Sequence, residues 1–252
     1  MESRVILPLY IYPSPGAWEP LYAAISKYPN LQFLIILNPN NGPGEAPWWP
    51  NEDYVREIPR LNAHTNVTLV GYVYATYCQR SADDVFLDIQ TYAERGKGWL
   101  SVLGVQGIFV DETVNLYSEK MKGYLDAIDQ QVKKSEGIVG NKIVIHNPGT
   151  AVSSRLASPG PDITVVVETS YQHFITQEYQ DWLATSPYDR SRSCYMLHSV
   201  PNDEVKNLTA SFCKAAKYLF ITSATENFYG SFGPSWEDFL AAMEASGIAE
   251  SG

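Results

Sequence analysis

Eight short runs of apolar, β-branched and aromatic residues punctuate the chain. They are Val5–Tyr12, Leu31–Leu37, Val67–Tyr74, Gly107–Asp111, Lys142–His146, Ile163–Glu168, Cys194–His198 and Tyr218–Thr222. Most are continuous rather than strictly alternating, the pattern of strands buried on both faces in a parallel sheet. Amphipathic segments lie between them. Trp18–Lys27, Asn51–Leu61, Ser81–Arg95, Val114–Lys134, Thr176–Ala184, Asn202–Lys217 and Ser235–Ala245 read as helices. Ser81 is an N-cap candidate with Asp83 and Asp84 in the first turn, where the helix dipole favours acids. Ser235 is a second N-cap candidate. Asn147–Asp162, rich in Pro, Ser and Gly, predicts mostly loop.

A strand followed by a crossover, repeated eight times, predicts an α/β fold of the (β/α)8 TIM-barrel type. Such a barrel takes roughly 250 residues, and the chain has 252, so residues 1–252 read as one domain. The alternative, an open doubly wound sheet, usually carries a glycine-rich phosphate turn after its first strand. Here that turn is Pro13-Ser14-Pro15-Gly16, and its two prolines remove N–H groups that would cradle phosphate. No P-loop or GxGxxG is present, and no nucleotide or other cofactor is expected.

The net charge of −10 argues against nucleic acid or an anionic membrane as the main partner. It suits a neutral or cationic ligand, or simply a soluble surface. The N-terminal MESRVILPLYIYP is interrupted by Pro8 and has no small-residue cleavage site, so it does not read as a signal peptide. No window reaches 18 apolar residues, and no membrane insertion is expected. Three cysteines make no disulfide framework. Cys194 and Cys213 both fall at the bottom face of the expected barrel, so a bond between them is feasible in a secreted form. Cys78 falls at the top and stays free. Sequons at Asn66 and Asn207 matter only in a secreted chain.

In a barrel of this type the chemistry sits at the C-terminal strand ends. The runs close on Tyr10 and Tyr12; Asn38 and Asn40; Tyr72, Tyr74 and Tyr77; Asp111 and Glu112; His146 and Asn147; Glu168, Ser170 and Tyr171; His198; and Ser223 with Glu226 and Asn227 beyond. A lone histidine or tyrosine at such a position is usually packing. The acids are harder to dismiss, because a carboxylate at the end of a buried strand is costly to desolvate unless it is paired or used. No Lys or Arg lies within six residues of Asp111, and the basic residues nearest Glu168 are Arg155 and Arg190.

Two carboxylates facing each other across a cleft can act as general acid and as nucleophile or base in glycoside hydrolysis. Strands four and six are second neighbours, so their backbones start near 10 Å apart, and inward side chains can close that to roughly 5–6 Å. That separation suits a retaining enzyme, with an inverting spacing left open. Trp48-Trp49, Trp18, Phe228, Tyr229 and Trp236 offer flat apolar faces for sugar rings, or else packing. A divalent-metal set of Asp111, Glu112, His146 and Glu168 has no diagnostic spacing, and no metal is expected.

The blocks PLYIYPSPGAWEPLYAAISKYPNLQFLIILNPNNGPG, VGYVYATYCQRSADDVFLDIQTYAE, GIFVDET, VIHNPGT and VVVETSY, in this order, resemble the spherulin-4-like family. The resemblance implies a (β/α)8 barrel. It also implies a glycoside hydrolase, since the family includes a fungal enzyme that cleaves galactosaminogalactan, an α-1,4-linked polysaccharide of galactose, N-acetylgalactosamine and galactosamine in biofilms and cell walls. The fungal enzyme carries an N-terminal membrane or secretory segment, which is not recognised in this chain. The family's Asp-Glu pair and distant Glu fall on Asp111, Glu112 and Glu168. The expectation is a retaining endo-enzyme with Asp111 as nucleophile and Glu168 as general acid/base, Glu112 being a supporting or alternative carboxylate and the roles exchangeable. Tyr10, Asn38, Tyr72, Tyr74, His146, Asn147, Tyr171 and His198 are expected to contact a polysaccharide substrate. A second reading keeps the barrel without turnover, as a carbohydrate-binding or encystment-associated protein of the cell wall.

Overall fold

The continuous apolar runs form strands because helices cover one face and the barrel interior the other. In the computed structural model, which describes residues 2–44 and 51–250, the sheet is a closed parallel barrel in sequence order. The strands are β1 (Arg4–Leu9), β2 (Phe33–Leu37), β3 (Val67–Tyr74) and β4 (Gly107–Asp111). They continue as β5 (Ile143–His146), β6 (Ile163–Ser170), β7 (Ser193–His198) and β8 (Tyr218–Ile221). Closure comes from β1 beside β8, with Arg4 opposite Tyr218 and Val5 opposite Leu219. Every residue of β2 is buried. Each fully buried Leu or Ile there stabilises the fold by about 1.5–3 kcal/mol relative to exposure.

The outer layer is α1 (Glu19–Lys27), α2 (Glu52–Asn62), α3 (Ala82–Arg95), α4 (Glu119–Lys134), α5 (Tyr171–Phe174), α6 (Gln177–Leu183), α7 (Val205–Phe212) and α8 (Trp236–Glu250). Between β5 and β6 the described backbone holds only a short 3₁₀ turn, Ser154–Leu156, in keeping with the loop expected there. Gly71 in β3 lets α3 dock. A Cβ at Gly71 would stand 2.7 Å from the ring of Tyr92, whose hydroxyl donates to the Tyr72 carbonyl at 3.1 Å and the Leu37 carbonyl at 3.3 Å. The buried phenol thereby ties together the upper parts of β2 and β3.

Several boundaries differ from expectation for local reasons. β1 stops at Leu9, because the Tyr10 N–H leaves the sheet to bond the Tyr229 carbonyl at 3.3 Å. α4 starts at Glu119, where Ser118 Oγ accepts from the Met121 N–H at 3.2 Å, a side-chain cap closer to the helix than Val114. Ser81 occupies the N-cap of α3 without a side-chain cap bond, and Ser235 Oγ accepts from the Ser223 N–H at 2.9 Å. Cys194 and Cys213 are both buried thiols and form no disulfide; Cys213 Sγ lies 3.8 Å from Met243 Sδ. Cys78 is also a thiol. Asn66, in the first sequon, is buried and donates to the Leu31 carbonyl, whereas Asn207 in the second is exposed on α7. Among the described residues no helix is long and apolar enough to cross a membrane.

Candidate active site at the barrel mouth

Asp111 closes β4 on the same strand face as Phe109, two residues earlier. Its Oδ2 accepts from the Tyr72 hydroxyl at 2.7 Å. Its Oδ1 accepts from the Glu112 N–H at 2.9 Å and from Asn147 Nδ2 at 2.8 Å. The same Nδ2 donates to Glu168 Oε2 at 2.6 Å, and Glu168 Oε1 accepts from the Tyr229 hydroxyl at 2.5 Å. One amide nitrogen thus holds both carboxylates. Asp111 Oδ1 and Glu168 Oε2 lie no more than 5.4 Å apart, the sum of the 2.8 and 2.6 Å distances to that nitrogen.

The orientation of the amide is set locally. In the Asn147-Pro148-Gly149 turn, the Gly149 N–H donates to Asn147 Oδ1 at 3.0 Å, so the NH₂ must face the acids. Gly149 has φ +67°, which glycine adopts at no steric cost, and its carbonyl accepts from the Glu168 N–H at 3.0 Å. The sequence Asn-Pro-Gly therefore builds both the bridge and the backbone contact that seats Glu168.

Glu112 takes another path. It has φ +52°, and its carbonyl accepts from the Tyr77 N–H at 2.7 Å. Thr76, Tyr77 and Cys78 on the facing loop are also left-handed, with φ of 45°, 53° and 63°. Left-handed backbone costs roughly 1–2 kcal/mol per non-glycine residue, and such strain gathers where surrounding structure enforces a functional geometry. Its effect here is to end the strand at Asp111. Among the described residues the Glu112 carboxylate takes no part in the hydrogen-bond network of the other two acids, while its charge acts on Tyr72.

Burial pushes the Glu168 carboxyl above its ordinary value, the Tyr229 and Asn147 hydrogen bonds pull it partway back, and the Asp111 charge adds to the rise. The environment of Glu168 therefore favours its holding a proton. Burial, reinforced by these acids, raises the phenols of Tyr10, Tyr72 and Tyr229, which stay neutral donors. The Tyr229 bond stabilises ionised Glu168, so Tyr229→Phe should raise the Glu168 pKa and, with Glu168 as the expected general acid, move the alkaline limb of a kcat/KM profile up by about one pH unit. A limb that stays in place or moves down would contradict the assignment of that limb to Glu168.

The other expected site residues divide. Tyr10 packs between the two tyrosines that donate to the acids, its ring edge-on to Tyr72 with centroids 5.8 Å apart and to Tyr229 with centroids 5.5 Å apart. Tyr72 and Asn147 belong to the network itself, as donors to the acids. His198 lies at the mouth, stacked on Phe228 with centroids 4.1 Å apart. Tyr171 opens α5 half-buried against the core, and Asn38 Oδ1 accepts from the Gly42 N–H at 3.0 Å to hold its own loop. Tyr74 lies under the Arg80 guanidinium, 4.1 Å from its ring centre.

His146 corrects the expectation of a sugar contact. It is buried, and its Nε2 lies 2.7 Å from Asp129 Oδ1 on α4. Strand alternation sends His146 out to the helix layer and its neighbour Asn147 in to the mouth. The conjectured metal set of Asp111, Glu112, His146 and Glu168 is consequently not assembled. Trp18 and Trp236 are buried rather than presented to a ligand, with Trp18 Nε1 donating to the Ile11 carbonyl at 2.9 Å. Trp48-Trp49 lies outside the described residues. Tyr229, in the sequence only one of several flat aromatic faces, is a donor to the acid pair. It stands eight residues beyond β8, where no strand periodicity points to it, and only its place in an aromatic cluster after the last strand signalled it.

Fold and site together define a (β/α)8 barrel with a bridged carboxylate pair at its C-terminal mouth. Within that class the chain belongs to spherulation-specific family 4, the Spherulin4 family, whose model matches residues 4–243. Spherulin-4 of Physarum polycephalum is 29% identical over 192 residues, which are 76% of this chain and 52% of that protein. The chain thus spans about half the length of that relative. The crystal structure of Aspergillus clavatus Sph3 in complex with GalNAc matches with a TM-score of 0.91 and 37% identity, over 96% of this chain and 98% of that one. A chitinase from Bacteroides thetaiotaomicron covers 100% of this chain and 98% of its own, with a TM-score of 0.54 and 10% identity. A tamarind chitinase-like lectin covers 97% and 98%, with a TM-score of 0.54 and 12% identity. At those two identities the likeness is one of fold.

Proposed function

We propose that the protein is a retaining, endo-acting glycoside hydrolase that cleaves an α-1,4-linked polysaccharide containing galactosamine and N-acetylgalactosamine. The observation that carries this reading is the Asn147 bridge, which keeps the facing carboxylate oxygens of Asp111 and Glu168 within 5.4 Å. Retaining enzymes place their two carboxyl groups about 5–5.5 Å apart, while inverting enzymes need about 6.5–9.5 Å to admit a water. The substrate class is supported by the likeness to Aspergillus clavatus Sph3, whose structure holds GalNAc. The net charge of −10 suits a partly deacetylated, cationic polymer.

In this mechanism Asp111 attacks the anomeric carbon as Glu168 gives its proton to the glycosidic oxygen. The glycosidic C–O bond breaks, and a glycosyl ester forms on Asp111. Asp111 Oδ2 is the attacking atom, since it accepts one hydrogen bond where Oδ1 accepts two. Ionised Glu168 then takes a proton from a water whose oxygen attacks the same carbon, releasing Asp111 and restoring the acid. Tyr72, Asn147 and Tyr229 hold the acids and transfer nothing themselves. Purified galactosaminogalactan should yield oligosaccharides whose newly formed reducing ends, followed by NMR from the first turnovers, appear in the α configuration. Initial β products would overturn the retaining mechanism. Binding with no release would favour the carbohydrate-binding reading.

A further inference from the structure

A concavity opens among the loops that follow β6, β7 and β8, at the C-terminal end of the barrel. It has a volume of about 550 Å³ and is lined by Gln172 on α5, by Ser199, Val200 and Asn202 after β7, and by Ser223 and Pro234 around the β8 loop. Every residue lining it is uncharged, and its polar groups are amides and hydroxyls. Neutral donors and acceptors set among small apolar faces suit a sugar ring with hydroxyl and acetamido groups, and not an anion.

A band of rings joins this concavity to the acids. Tyr229, hydrogen-bonded to Glu168, lies edge-on to Phe228 with centroids 4.6 Å apart. Phe228 lies flat on His198, with 4.1 Å between centroids and 4° between planes. His198 Nδ1 is 2.9 Å from Ser199 Oγ, and Ser199 lines the concavity. Burial lowers the His198 pKa, in keeping with a neutral ring in a stacked pair. The floor is held by backbone bonds between the two loops, from the Ser199 N–H to the Ala224 carbonyl at 2.9 Å and from the Val200 N–H to the Thr222 carbonyl at 3.2 Å. Ser199 is left-handed at φ +58°, a further strained residue at the mouth. Ser223 Oγ, bonded to Asn202 Oδ1 at 3.2 Å, links the two walls.

We propose that this concavity is a second saccharide subsite. A polymer then lies from the acid pair, across the His198–Phe228 pair, into the neutral concavity above β7 and β8. The inference rests on the glycoside hydrolase reading and adds to it the direction in which the chain runs and the groups that hold it away from the scissile bond.

The test is calorimetric titration of the Glu168→Gln protein with a length series of α-1,4-linked N-acetylgalactosamine oligosaccharides. It is repeated after adding Asn202→Ala or, separately, Thr225→Ala, two exposed residues that line the concavity and whose truncation leaves the core untouched. Affinity should rise with length in the parent. Each substitution should weaken binding of the longest chains, Asn202→Ala about tenfold, and lower that of the disaccharide less than twofold. Equal loss at all lengths, no loss at any length, or a parent whose affinity does not depend on length overturns the subsite and leaves the hydrolase reading standing. A parent that binds no saccharide of any length overturns the hydrolase reading and the subsite with it.

Discussion

Asp111→Asn is expected to lower kcat on the polysaccharide by more than about 10⁴-fold, and Glu168→Gln by about 10²- to 10⁴-fold. Neither change should disturb the fold. At position 111 the retained side-chain oxygen can stay on the side of the Glu112 N–H and Asn147 Nδ2, both donors, while the new NH₂ faces the Tyr72 hydroxyl oxygen, which can accept. At position 168 the new amide can accept from Asn147 and donate to the Tyr229 oxygen. The two variants should part in what rescues them. An aryl glycoside with a good leaving group needs little protonation, so it should restore much of the Glu168→Gln rate and little of the Asp111→Asn rate. Azide, taking the place of Asp111 in Asp111→Ala, should give a glycosyl azide of inverted configuration. Oligosaccharide release unchanged by either substitution would remove these residues from the catalytic roles.

Asn147→Ala is expected to lower kcat about 10²- to 10³-fold with a smaller change in KM, because it removes the group that fixes both acids. The sign of its pH effect follows from the geometry. Loss of the Nδ2–H bond withdraws support from ionised Glu168 and leaves the Asp111 charge facing it unscreened, so both changes raise the Glu168 pKa. The alkaline limb of the activity profile should therefore move to higher pH, in the same direction as in Tyr229→Phe and further. A role limited to holding the β5–β6 loop would lower stability and leave the limb where it was. A rise in KM with unchanged kcat would make Asn147 a substrate contact instead of a positioning residue.

The residues of the site were legible to different degrees. Asp111 and Glu168 stood out because each is an acid ending an apolar run, with no basic residue near in sequence to explain it. Asn147 and His146 were visible only as an adjacent polar pair. Which of them faces the mouth depends on where β5 leaves the sheet: the Asn147 N–H still bonds the Val110 carbonyl at 2.9 Å, and alternation then turns His146 toward Asp129. Tyr72 looked like a sugar contact because its position on β3 was clear, but its partner lies on the next strand, 39 residues away. Tyr229 reaches Glu168 across a separation of 61 residues from a loop with no periodicity.

By itself the sequence determined the eight apolar runs, their parallel arrangement and the strand ends that carry acids. These follow from burial of both strand faces and from the cost of stranding a carboxylate, which act within a few neighbouring residues. The tertiary structure alone decided that one amide nitrogen holds Asp111 and Glu168 together, that Glu112 turns away on a left-handed backbone, and that Tyr229 closes the network. Those outcomes depend on barrel closure, which brings side chains from β3, β4, β5, β6 and the β8 loop to one point, and hydrogen bonds are short-ranged enough to be settled only there.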